Sequence, residues 1–190
     1  MNGHASSIAI ANLIRSLYQD QNLTTDELNQ AIIDNVFAVT MKFESVELQG
    51  PRDDPETYLS KYRSWFHWLM IQSFGNNLGR KKHLQPLSYA FMDFPDSRGS
   101  QSECRVDELM KSGLLHVHAV IALRPGAGQA CRLPLMVAGS AHQLRRFGDV
   151  KVEMFDPERG SIENMIQYFM KGAEAIGSRL RSDAYEVFPR

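Results

Sequence analysis

Apolar positions along the chain repeat with two periods, and the switches between them mark out helices and strands. Residues 4–18 carry Ile8, Leu13, Ile14 and Leu17 on one broad stripe, which predicts a helix. Thr24 and Glu27 make a Thr-x-x-Glu capping box ahead of Leu28, Ala31 and Ile32, so a second helix starts there. Asp34 and Asn35 are expected to break it. "VFAVTMKF" (36–43) is β-branched and aromatic and reads as a strand. "GPRDDP" (50–55) is a loop whose Asp54-Pro55 pair supplies an N-cap and a first helical residue. Leu59, Tyr62, Phe66, Leu69 and Ser73 follow at three- and four-residue steps, widened by Trp65 and Met70, until Gly75 stops the helix. "LSYAFMDF" (87–94) is a second strand and 95–104 a polar loop. "VDELMKSG" (106–113) predicts a short helix, and "LLHVHAVIAL" (114–123) a third strand. Residues 129–145 are ambiguous, with helix expected from Pro134. "DVKVEMF" (149–155) alternates as a fourth strand, and Gly160 and Ser161 open a last helix that runs to Leu180.

Helices and strands are thus mixed, but the join between the second and third strands is loop-like. That favours a mainly antiparallel sheet flanked by helices, an α+β architecture with a helical N-terminal extension. The 190 residues suit one domain, 1–190. With 43% hydrophobic and 23% charged residues, the composition is that of a soluble globular protein. No apolar run approaches the roughly 20 residues of a membrane span, and the N-terminus has no secretion-signal pattern. Cys104 and Cys131 lack CxxC spacing, so free thiols and a cytoplasmic location are expected. A net charge of −1 argues against broad non-specific nucleic-acid binding. A small site gripping a few phosphates stays compatible with it. Basic residues cluster locally in "GRKKH" (79–83), at Arg145 and Arg146, and at Lys171, Arg179 and Arg181.

The third strand holds the most informative pattern. Alternation sends His116 and His118 to one face with Val120 and Ala122, and Leu115, Val117, Ala119 and Ile121 to the other. Two imidazoles one residue apart suit a shared metal ion; hydrogen-bonded core histidines are the other reading. On the last helix, Ile162, Met165, Ile166, Phe169, Ala173 and Ile176 form one apolar arc. Asn164, Tyr168, Lys171 and Ala175 form a second arc, which sets Tyr168 and Lys171 on one face at i, i+3.

In this order, a strand like "FAVTMKF", His-hydrophobic-His on a later strand and Tyr-x-x-Lys on a helix after a further strand, the chain resembles the HUH endonucleases. Within them it is most similar to the replication initiators of rolling-circle plasmids and viruses. The resemblance covers about residues 36–175. It implies a ferredoxin-like sheet, a divalent metal on His116 and His118, and Tyr168 as the nucleophile toward DNA, with Lys171 assisting. The family's third ligand comes from the strand before the histidines and is often Glu; here Asp93 holds that place, with His142 and Glu103 as rivals. Such a ligand set suits Mg²⁺ or Mn²⁺. The implied substrate is single-stranded DNA, cut to a 5′-phosphotyrosine and a free 3′-OH and later rejoined. Replication of a plasmid, phage or related mobile element is the implied role. No Gly-x-x-x-x-Gly-Lys-Ser/Thr motif is present, so a separate helicase partner is expected. Two other readings remain: a non-catalytic nucleic-acid-binding domain of the same fold, and a metal-dependent nuclease that uses water.

Overall fold

The computed structural model describes residues 3–19, 22–43, 55–76, 78–93, 115–127, 131, 133, 147–180 and 185–189. The helices are α1 (Gly3–Gln19), α2 (Thr25–Asn35), α3 (Pro55–Phe74) and α4 (Ile162–Leu180). The strands are β1 (Val36–Lys42), β2 (Leu87–Asp93), β3 (His116–Ala122), β4 (Asp149–Met154) and β5 (Tyr185–Phe188). Short 3₁₀ segments occupy Leu78–Leu84 and Pro157–Arg159. The helices expected over 106–113 and from Pro134 lie outside the described residues.

Local chemistry accounts for the helix ends. The Thr24 side chain accepts from the Glu27 amide while the Glu27 carboxylate accepts from the Thr24 amide at 2.8 Å. This box opens α2, which runs through both residues expected to break it, Asp34 and Asn35, before the chain turns straight into β1. Gly75 has φ 73°, and its N–H donates to Ile71 O at 2.8 Å, closing α3 where a side chain would be strained.

The strands form one antiparallel sheet in the order β4-β1-β3-β2-β5. This is the expected α+β layout, with one strand more than the sequence pattern marked. β5 went unread because it has only four residues and turns a glutamate inward. That glutamate, Glu186, is buried and takes a two-pronged ion pair from Arg63 on α3, Nε–Oε1 2.9 Å and Nη2–Oε2 3.0 Å. A partner 123 residues away gives no local signal.

Alternation divides the sheet into two unlike faces. Phe37, Val39, Met41, Ala90, Met92, Val117, Ala119 and Ile121 are wholly buried on one face. They form the main core with Tyr58, Tyr62, Trp65 and Leu69 of α3, where Tyr62 Oη and Ser88 Oγ share a hydrogen bond of 2.6 Å. The other face carries His116, His118, Val120 and Ala122 of β3. Beside them stand Thr40 and Ala38 of β1 and Asp93, Phe91 and Tyr89 of β2. α4 covers the β2 side of this face with Ile162, Ile166, Phe169 and Ala173, the apolar arc seen in the sequence. α1 packs on α4, with Arg15 ion-paired to Glu163. On the β4 side the same face carries exposed Lys151 and half-buried Glu153. Among the described residues, no helix is long and apolar enough to cross a membrane.

Candidate metal centre and tyrosine cleft

Strand register assembles the centre. Asp93 stands directly opposite His116, and Phe91 opposite His118, in the antiparallel β2–β3 pair. Both imidazoles and the carboxylate therefore project from one face within a single cross-strand neighbourhood. His118 Nε2 lies 3.2 Å from His116 Nε2 and 3.4 Å from Asp93 Oδ2, and His116 Nε2 lies 3.7 Å from that oxygen. One donor atom from each residue fits within a span of 4.8 Å. Asp93 is 2% exposed and His118 7%. A carboxylate and two imidazoles gathered this closely away from water are costly unless they are hydrogen-bonded or share a cation. Asp93 is the carboxylate that the fold brings to the histidines; the rivals His142 and Glu103 lie outside the described residues.

Neighbouring side chains fix the His118 ring. Thr40, opposite it on β1, places Oγ1 3.1 Å from Nδ1. A ligating Nε2 leaves the proton on Nδ1, and the threonine oxygen then accepts it, the arrangement that orients metal-bound histidines. Phe169 of α4 stacks on the ring at 4.7 Å between centroids and 4° between planes. The donor set, its tautomer control and its burial fit a divalent ion. Imidazole and carboxylate accept several such metals.

Tyr168 is next to this centre. Its ring centroid is 5.7 Å from that of His118, and it is 46% exposed. Tyr18, Tyr58 and Tyr62, by contrast, are buried, and burial pushes the Tyr18 and Tyr62 phenols well above the ordinary tyrosine range. Lys171 is exposed one turn farther along α4. A cleft of about 400 Å³ extends from His118 between β1 and the start of α4. Thr40 and Ala38 line its floor, Tyr168 and Asn164 one wall, and Glu153 and Arg159 the rim. β1 and β4 present the polar Thr40 and Glu153 to it.

Gly172 joins the two halves. A Cβ there would lie 2.6 Å from Asp93 Cα and 2.8 Å from Asp93 Cγ, and closer still to Oδ1. The missing side chain lets α4 rest directly on the end of β2. Sequence reasoning passed over Gly172 and Thr40, and placed Phe169 in the apolar arc without its contact to His118. The usable signal was a glycine on the buried side of an otherwise unbroken helix, which marks a close approach.

No protein-family model, characterised protein or solved structure matches the chain.

Proposed function

We propose that this protein is a metal-dependent enzyme that nicks and rejoins single-stranded DNA, with Tyr168 as nucleophile. The observation that carries the reading is an exposed phenol 5.7 Å, ring to ring, from a buried two-histidine, one-aspartate centre. Asp93, His116 and His118 would hold Mg²⁺ or Mn²⁺. A divalent ion bound there supplies Lewis-acid polarisation of a phosphate oxygen.

The chain's own residues account for the remainder. The cleft receives a single strand and presents one phosphate to Tyr168. The Tyr168 oxygen attacks phosphorus, its proton passing to solvent, and the P–O3′ bond breaks. The departing 3′ oxygen takes up a proton, leaving a 5′-phosphotyrosine on the enzyme. Because the new ester keeps the energy of the bond it replaced, a 3′-OH can attack it and reseal the strand without ATP. The Lys171 ammonium offsets charge on the phosphoryl oxygens as the bond changes hands. Phe169 and Thr40 keep the His118 ring still, so the ligands need little reorganisation. Such a cycle serves initiation of rolling-circle replication in a plasmid, phage or related element, working with a separate helicase.

The deciding experiment is a single-turnover reaction on end-labelled single-stranded DNA with Mn²⁺, resolved on a denaturing gel. Parent protein should yield a covalent adduct, and Tyr168→Phe should yield none while binding Mn²⁺ as before. Cleaved product without adduct would identify a nuclease that uses water. Neither product would leave a binding domain.

A further inference from the structure

A second cavity, of about 410 Å³, lies on the opposite side of the sheet from the histidines. Phe188 of β5 pairs with Ser88, which faces α3, so the cavity belongs to the α3 layer at the β5 edge. Its floor is apolar, built from Phe66, Met70, Leu78 and Phe188, with the Phe66 and Phe188 rings 4.9 Å apart. Its rim carries Arg63, His67 and Lys82, and among the described residues no carboxylate lines it. Glu186 and Glu56 hold Arg63 in place at the rim. Lys82 and His67 are exposed, and among the described residues Lys82 makes no ion pair. Lys82 belongs to the "GRKKH" run, the densest basic stretch of a chain whose net charge is only −1. That run folds as the 3₁₀ segment at the cavity mouth, where Lys81 caps α3 by donating to Phe74 O at 2.8 Å. Lys81 is thus structural, and Lys82 is left to face a ligand.

We infer that this cavity is a second contact for single-stranded nucleic acid, in which a base packs on the Phe66–Phe188 floor and Lys82 and His67 take the adjoining phosphates. An aromatic floor under a cationic rim matches a nucleotide on both counts, its flat apolar base and its anionic linkage. An acidic peptide would satisfy the rim and leave the floor unused. The inference rests on the proposal that the substrate is single-stranded DNA, and it extends the footprint beyond the tyrosine cleft. A remote contact explains how a nearly neutral protein holds a strand for an active site with few basic side chains. Binding energy is drawn from a part of the substrate that does not react.

The test is equilibrium binding of fluorescein-labelled oligothymidylate to the full chain without metal, over a range of salt, so that cleavage plays no part. The double variant His67→Glu, Lys82→Glu changes two exposed side chains. Its Mn²⁺ affinity, measured separately, reports that the fold is intact. Removing the Lys82 phosphate contact should lower the slope of log K against log salt by about 0.7. Affinity should fall by about tenfold or more. Unchanged affinity and slope would overturn the inference, as would equal binding of oligoglutamate with equal sensitivity to the substitutions. If the parent binds DNA through Lys82 yet forms no tyrosine adduct, the nicking proposal fails while this contact stands.

Discussion

Replacing Gly172 with alanine tests the join between the metal centre and the tyrosine helix. The added methyl would sit 2.6 Å from Asp93 Cα, whereas carbon atoms pack at about 3.5 to 4.0 Å. Relief therefore needs about 1 Å of separation between α4 and β2. Asp93 Oδ1 can swing aside, but the Asp93 backbone cannot, because its strand is paired with β3 at His116. Two opposing terms set the stability change. Alanine favours a helix over glycine by about 1 kcal/mol, and overpacking costs about 1 to 3 kcal/mol. The net is a loss of about 0 to 2 kcal/mol, or a few degrees in melting temperature for a chain of this size. The functional loss should be larger. Rotating or displacing Asp93 should weaken Mn²⁺ about 10- to 100-fold, the range seen when groups that orient ligands are disturbed. A shift of about 1 Å between phenol and phosphate should cost a further 100-fold in adduct formation. Calorimetric Mn²⁺ titration and urea unfolding of the same preparations separate these effects. If Gly172→Ala raises stability by about 1 kcal/mol and leaves Mn²⁺ affinity untouched, the glycine is an ordinary helix residue and the coupling argument fails.

The other predictions address single contacts. His118→Ala should abolish tight Mn²⁺ binding, whereas Thr40→Val, which keeps the ligand and removes only its hydroxyl partner, should weaken it about 10-fold; titration of both variants checks the order. Lys171→Ala should slow single-turnover cleavage by about 10- to 1,000-fold and change DNA affinity much less; an equal loss in both would show that Lys171 only holds substrate. The Arg15 guanidinium beside Glu163 lowers that carboxyl from 4.5 to about 2. A depressed carboxylate stabilises the fold above its unfolded pKa and loses that contribution as pH falls from about 4.5 toward 2. Arg15→Ala should therefore cost at most about 1 kcal/mol at neutral pH, given the pair's partial exposure, and much less near pH 2; urea unfolding at the two pH values measures the difference.

Much of the fold follows from periodicity because most of the described elements are long enough to repeat their pattern. The strand edges at Val36, Leu87 and Asp149 and the helix starts after Thr24 and at Pro55 fall where alternation, capping and Gly or Pro signals put them. β5 escaped because four residues give two repeats at most, and its inward Glu186 breaks the apolar pattern until Arg63 is supplied from α3. At the site, alternation alone put His116 and His118 on one face and Tyr168 away from the buried arc. Asp93 was expected beside the histidines from the resemblance alone, because the β2–β3 register that brings it to His116 depends on how both strands dock and is written in neither. The contacts of Thr40 and Phe169 with His118 were invisible for the same reason, since each is made only across a strand pair or between layers. The basic run at 79–83 drew notice as charge, but its 3₁₀ fold over the Phe66–Phe188 cavity arises from tertiary packing.

The proposed nucleophile is exposed on a helix, which raises a mechanical problem, because an accessible side chain gains little positional restraint from packing of its own. Here the restraint comes from both sides along α4. Arg15 of α1 grips Glu163 five residues before Tyr168, and Gly172 seats the helix on Asp93 four residues after it. Between them the neighbouring Phe169 lies flat on the His118 ring. Tyr168 is thus left open to a ligand of the cleft while its backbone is held against the side chains that would bind the metal. Any movement of α4 that shifts the phenol must also disturb Asp93 or His118. Metal affinity and tyrosine reactivity should then change together in variants of the helix face that meets the sheet, and separately in variants of the exposed arc that carries Tyr168 and Lys171.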